Sequence, residues 1–121
     1  MTFPLISVAL GGALGASLRF LVGAALMREG FPIAVLTVNV VGSFVMGLAA
    51  IMLGRAGLPE WQPFVLTGVL GGFTTFSAFS LETLTLIERG QGGAAILYVL
   101  LSVGLSLLAL TAGLALARGL S

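Results

Sequence analysis

The sequence contains no cysteine, no histidine, no lysine and no aspartate. Lack of Cys excludes disulfides, thiol nucleophiles and thiolate metal sites. Lack of His removes the commonest metal ligand and general base. Charge of either sign is scarce. Five arginines and four glutamates make up 7% of the 121 residues, and the net charge of +1 offers nothing to nucleic acid or to an acidic partner. A soluble domain carries roughly a quarter charged residues. Here 59% of residues are hydrophobic and the mean hydropathy is +1.22, which is the composition of an integral membrane protein.

The few charges act as punctuation. Apolar segments run from about Phe3 to Met27, Pro32 to Leu53, Glu60 to Ile87 and Ala94 to Ala117. Each can cross a hydrocarbon core of roughly 30 Å, which takes about 20 helical residues. The first segment lacks a basic leader region and is expected to remain as a span rather than to be removed. Pro32 suits the first turn of the second helix, where its missing N–H costs nothing. The connections REGF, GRAGLP and ERGQGG are short and rich in Gly and charge, so neighbouring helices should be antiparallel. The expected fold is one all-α membrane domain of four transmembrane helices.

Four spans put both termini on one side. Arg55 and Arg118 then lie with the termini, and Arg28 and Arg89 lie opposite, before Arg19 within the first span is counted. That balance carries no positive-inside bias. Either one orientation wins by a small margin, or the chain inserts both ways and pairs as an antiparallel homodimer; the second is the expectation. Size agrees, because four thin helices with 18 glycines can scarcely enclose a transport path alone. Small residues recur every four positions at Gly11, Gly15 and Gly23 with Arg19 between, and again at Ser43 and Gly47, a spacing that lets helix backbones approach closely.

Several polar residues lie too deep to be interface punctuation. Arg19 sits about 12 Å inside the end of its helix, where it either snorkels to the headgroups or faces a water-filled vestibule. Asn39 lies at similar depth and cannot snorkel, so its amide either bonds a neighbouring helix or lines a path. Tyr98, Ser102 and Ser106 share one helix face; they form either a ladder of hydroxyl donors or serines bonded back to the i−4 carbonyl. In GGFTTFSAFSLE, residues 71–82, two glycines and two threonines are poor helix formers, which predicts a third helix broken near its centre. Such a break is tolerated only inside protein or beside a polar cavity, and it frees carbonyls for a cation or N–H groups for an anion. Phe76 and Phe79 share a face, and Thr75, Phe79 and Glu82 an overlapping one. Lipid contact would explain the two rings alone, but the hydroxyls and carboxylate beside them make lipid a poor neighbour. Donors and positive ring edges with almost no carboxylate suit a small anion better than a cation. With no nucleophile–base pair, metal cluster or nucleotide loop, an enzyme is not expected.

At these residues a family resemblance emerges. GGALGASLRF (11–20), NVVGSFVMG (39–47) and GVLGGFTTFSAFSLE (68–82) resemble the signature blocks of the Fluc/CrcB fluoride channel family. The resemblance implies a dual-topology antiparallel homodimer with two pores in the bacterial cytoplasmic (inner) membrane, exporting fluoride passively. It implies a structural, non-transported Na⁺ at the dimer centre, held by the backbone carbonyls of Gly71 and Thr74 from both subunits. Phe76 and Phe79 match the rings whose edges line the fluoride path. Asn39, Thr75, Glu82, Tyr98, Ser102 and Ser106 match the rest of its polar track, and Arg19 the vestibule arginine. Ala78 departs from the family, where many members carry threonine. The alternative, a small multidrug-type proton-coupled antiporter, needs a carboxylate in the first span, and this sequence has Arg19 there instead.

Overall fold

A computed structural model describes residues 4–26 and 31–119. Arg28, one of the arginines weighed above, and the expected span ends Phe3 and Met27 lie outside the described residues. Four helical stretches are long and apolar enough to cross a membrane: Pro4–Ala25, Ile33–Arg55, Pro59–Glu88 and Gly92–Gly119. They fall within about two residues of the spans read from the sequence.

Helix α1 is Pro4–Ala25 and α2 is Ile33–Arg55. Pro32 stands one position ahead of its expected place, as the N-cap of α2, with its carbonyl accepting from Leu36 N at 3.3 Å. The end of α2 is closed by Gly57 at φ +72°, which lets Leu58 N reach back to Leu53 O and Gly57 N to Gly54 O. Only a residue without a Cβ adopts that left-handed turn easily. Gly90, at φ +77°, closes the third span in the same way.

The third span is built in pieces. A single 3₁₀ turn (Pro59–Trp61) leads into a π-helical segment (Pro63–Leu70), whose wider coil continues until Gly71 N donates five residues back to Leu66 O. Helix α3 (Gly71–Phe73) follows, then two extended residues, then α4 (Phe76–Glu88). The break is real, but it is not where the glycines are. Gly71 is helical at φ −62°, ψ −37°, whereas Thr74 (φ −88°, ψ 157°) and Thr75 (φ −153°, ψ 121°) are extended. Of the four poor helix formers that predicted the break, the two threonines are the residues that leave the helix. Thr74 closes α3 by donating its hydroxyl to Leu70 O at 2.9 Å, and Thr75 caps α4 by accepting from Ala78 N at 3.2 Å. Threonine hydroxyls compete for backbone groups in this way at helix ends. Helix α5 (Gly92–Gly119) completes the bundle.

The glycines serve approach instead. Helix α1 packs against the first half of the third span, with Gly11 and Gly15 facing Gly68 and Gly72. A Cβ at Gly72 would come within 2.7 Å of Gly12 O, and one at Gly15 within 2.9 Å of Phe73 N. Helices α2 and α5 run parallel and meet across Gly47 and Gly113, where a Cβ would meet Leu114 N at 2.9 Å and Leu48 N at 3.0 Å. These neighbours are backbone atoms and cannot swing aside. Replacing Gly15 by Ala is expected to cost about 1–3 kcal/mol through forced separation of the helices. The check is the unfolding midpoint in detergent. Gly54→Ala, which meets nothing within 4 Å, should leave it unchanged; equal midpoints for both variants would contradict the close seam.

The largest buried side chains, Tyr98, Leu86 and Val38, lie among α2, α4 and α5, with Phe31, Val35, Leu36 and Phe79 packed around Tyr98 and Leu86. At the other end Arg55 donates to Ala117 O and Arg118 O at 3.3 and 3.0 Å, tying the last turns of α2 and α5 together. Most outward positions carry exposed Leu, Ile, Val or Phe, as a lipid-facing surface requires.

Candidate functional site: a groove at the helix break

The break exposes peptide groups that a continuous helix would bond internally, and side chains from two other helices take them up. Thr75 N donates to Asn39 Oδ1 at 2.8 Å, and Asn39 Nδ2 donates to Thr75 O at 3.1 Å. One amide thus satisfies both backbone groups of one extended residue. Turning it over would set donor against donor and acceptor against acceptor, so its orientation is fixed by its partners. Arg19 Nε donates to Gly72 O at 3.0 Å. Of the alternatives open in the sequence, Arg19 and Asn39 are both brought to the break, each by an inter-helix hydrogen bond.

Asn39 also lines a groove of about 360 Å³ between α2, α5 and the break. The α2 wall is Asn39, Gly42, Ser43 and Met46. The α5 wall is Ser102, Val103, Ser106, Leu107 and Leu110. Thr74, Thr75, Phe76 and Phe79 form the side along the break. Six of the residues expected on an anion path (Asn39, Thr75, Phe76, Phe79, Ser102 and Ser106) therefore meet in one groove. Gly42 matters to its floor, because a Cβ there would collide with the Thr74 methyl and approach the Phe73 ring to 3.2 Å.

The serine hydroxyls of this groove differ from most others in the bundle, including that of Thr74 on the same groove. Ser17, Thr74, Ser80, Thr83, Thr85 and Thr111 each donate to the carbonyl four residues earlier. Ser102 and Ser106 do not. Ser102 Oγ is buried and has no hydrogen-bond partner among the described residues. Tyr98 Oη is likewise buried and unbonded; the two oxygens lie one turn apart and close, but without hydrogen-bond geometry. An unpartnered buried hydroxyl carries a desolvation cost of about 1–3 kcal/mol until something accepts from it.

Four aromatic rings run in series beside the groove. Phe76 and Phe79 have centroids 5.5 Å apart, Phe79 and Tyr98 5.2 Å, and Tyr98 and Phe31 5.5 Å in a T-shaped contact at 90°. Phe79 is half-buried within the series, while Phe76 is 76% exposed in the single chain.

The structure separates other expected residues from the groove. Tyr98 shares a helix face with Ser102 by spacing, but its ring is fully buried in the core against Phe79 and Phe31. Glu82 lies within electrostatic reach of Tyr98 rather than on the groove wall. Arg19 lines a second cavity of about 370 Å³ with Phe20, Gly23, Val35 and Val38, and that cavity shares Thr75 with the groove. Gly71 is exposed outside both. In a continuous helix its carbonyl would accept from Thr75 N, which here goes to Asn39. The set on hand for a metal is thus neutral backbone oxygen, a hard ligand suited to an alkali cation. Among the described residues no group of three or more His, Cys, Asp or Glu comes together.

Sequence reasoning missed Gly42, Ser43 and Met46 as groove residues. A signal exists: Asn39, Gly42, Ser43 and Met46 stand at i, i+3, i+4 and i+7, one helix face, although the Ser43–Gly47 spacing by itself reads as packing.

An all-helical bundle of four membrane-spanning lengths, its third span broken beside a largely apolar groove that carries hydroxyls and one amide, is the architecture of a multi-pass membrane protein. The model of the family described as CrcB-like protein, Camphor Resistance (CrcB), matches residues 6–114, and the chain belongs to that family. Similar proteins named "Fluoride-specific ion channel FluC" occur in Roseobacter denitrificans, 58% identical over 120 residues and covering 95% of both chains. Ruegeria sp. has one 54% identical, covering 98% of both chains. One from Cereibacter sphaeroides is 56% identical, again over 98% of each.

Proposed function

We propose that this chain is a fluoride channel, not an enzyme, and that it works as an antiparallel, dual-topology homodimer exporting fluoride passively across the bacterial cytoplasmic membrane. Family membership and relatives named as fluoride-specific channels support the ion. The observation that carries the reading is the convergence of Asn39, Thr75, Phe76, Phe79, Ser102 and Ser106 on one groove. A small, strongly hydrated anion leaves water only where donors replace its shell. Hydroxyls without partners, a clamped amide and ring edges with positive quadrupole density are such replacements. The groove is open along one side of a single protomer, and a second copy supplies the missing wall. The balanced arginines on the two sides agree with copies inserted in opposite senses.

A proton-coupled antiporter would use a carboxylate in the first span. The ionisable side chain of α1 is Arg19, which is bonded to the Gly72 carbonyl.

A structural Na⁺ fits the carbonyls of Gly71 and Thr74 at the break, contributed by both copies. Its charge would offset the repulsion of converging carbonyl dipoles. After prolonged replacement of Na⁺ by a large organic cation, fluoride flux and dimer content should both fall. Full activity in demonstrably ion-free protein would contradict the sodium.

The function is tested in cells. Expression in a bacterium lacking its own fluoride exporter should restore growth in fluoride-containing medium; a membrane-inserted protein that gives no protection would contradict it.

A further inference from the structure

We propose that Ser43 is a further anion-contacting residue of the groove, the α2 counterpart of Ser106. This rests on the reading of the groove as the fluoride path and adds a residue to it.

Two observations support the assignment. Ser43 lines the groove on the wall opposite Ser102 and Ser106. Its hydroxyl makes no hydrogen bond among the described residues, neither to the i−4 carbonyl nor elsewhere, although hydroxyls on outer faces, such as those of Ser17, Ser80 and Thr111, do bond back. A serine in an apolar helix that forgoes that local bond beside a cavity leaves its donor for whatever occupies the cavity.

Register gives the hydroxyl its place. Helices α2 and α5 run parallel: Val35 and Leu36 pack near Tyr98, and Arg55 bonds Ala117 O. One turn carries Asn39 to Ser43 and Ser102 to Ser106, in each case about 6 Å along the axis. The donors thus form two rungs, Asn39 with Ser102 and Ser43 with Ser106. The next turn ends the polar track on both walls, at Met46 and Leu110. An anion leaving the amide of Asn39 meets hydroxyls from both helices at the second rung, so its hydration is replaced from two sides rather than one.

Because the sequence contains no cysteine, Ser43→Cys places a single thiol in the protein. A charged methanethiosulfonate reagent added to reconstituted Ser43→Cys should cut fluoride flux at least tenfold, and fluoride itself should slow the modification. Ser17→Cys, on an exposed face outside the groove, should conduct as before after the same treatment. Ser43→Ala should raise the half-saturating fluoride concentration about two- to tenfold, the range of one lost hydrogen bond, and Ser43→Thr should restore it. A packing role would not move that concentration. Unchanged flux after confirmed labelling of Ser43→Cys, or wild-type half-saturation in Ser43→Ala, would overturn the assignment. A wild-type protein that passes no fluoride would instead overturn the channel reading on which it rests.

Discussion

Replacing Asn39 by Asp should abolish fluoride flux. The amide makes two bonds to Thr75 with opposite polarity, donating to its carbonyl and accepting from its N–H. A carboxylate can do only the second. It would set oxygen against the Thr75 carbonyl, loosening the extended residue that caps α4, and it would place negative charge on the wall of an anion path. An acidic side chain near mid-membrane already costs about 2.5–3.5 kcal/mol on insertion scales, so a fall of about 100-fold or more is expected. Asn39→Ser, which keeps a donor and adds no charge, should retain more flux. Efflux from liposomes, with dimer content checked by size-exclusion chromatography, separates lost conduction from lost folding. Wild-type flux in Asn39→Asp would remove the amide from the account.

Phenylalanine replacements should produce the second large effect, and the two rings should differ in kind. Phe76 is 76% exposed in the single chain, with its ring centroid 5.5 Å from that of Phe79. Its replacement by Leu keeps most of the apolar volume and removes the ring edge, so flux should fall about tenfold with little change in stability. Phe79 contacts both Phe76 and Tyr98. Losing two ring pairs, each contributing about 0.5–1.5 kcal/mol beyond area burial, should lower flux and also the unfolding midpoint. Unchanged flux in both Leu variants would return the rings to a packing role.

The spans were legible because length and apolarity define them, and their ends because Gly and Pro punctuate them. The break was legible as well, from two glycines and two threonines that are poor helix formers; how they divide the work was not. The threonines supply the hydroxyls that compete for backbone groups, while Gly72 admits α1. The π-helical segment 63–70 left no trace in the sequence. A shift from i−4 to i−5 bonding changes neither composition nor hydropathy. At the site, polar residues stood out in an apolar chain, so Asn39, Ser102 and Ser106 were found. The inward turn of Tyr98 was not, since spacing fixes a face of the helix but not where a large ring finds room. Ser43 was hidden for the opposite reason: a small residue in a small-residue stripe looks like packing until the cavity beside it is visible.

The central claim is that this protein conducts fluoride through the groove at the helix break. Its most direct test is ion efflux from liposomes holding the purified protein, followed in parallel with fluoride- and chloride-selective electrodes for the wild type and Asn39→Asp. The account predicts rapid fluoride release by the wild type, chloride release at the protein-free rate, and fluoride release near that same background for the variant. Equal release of fluoride and chloride by the wild type, or undiminished fluoride release by the variant, would contradict it.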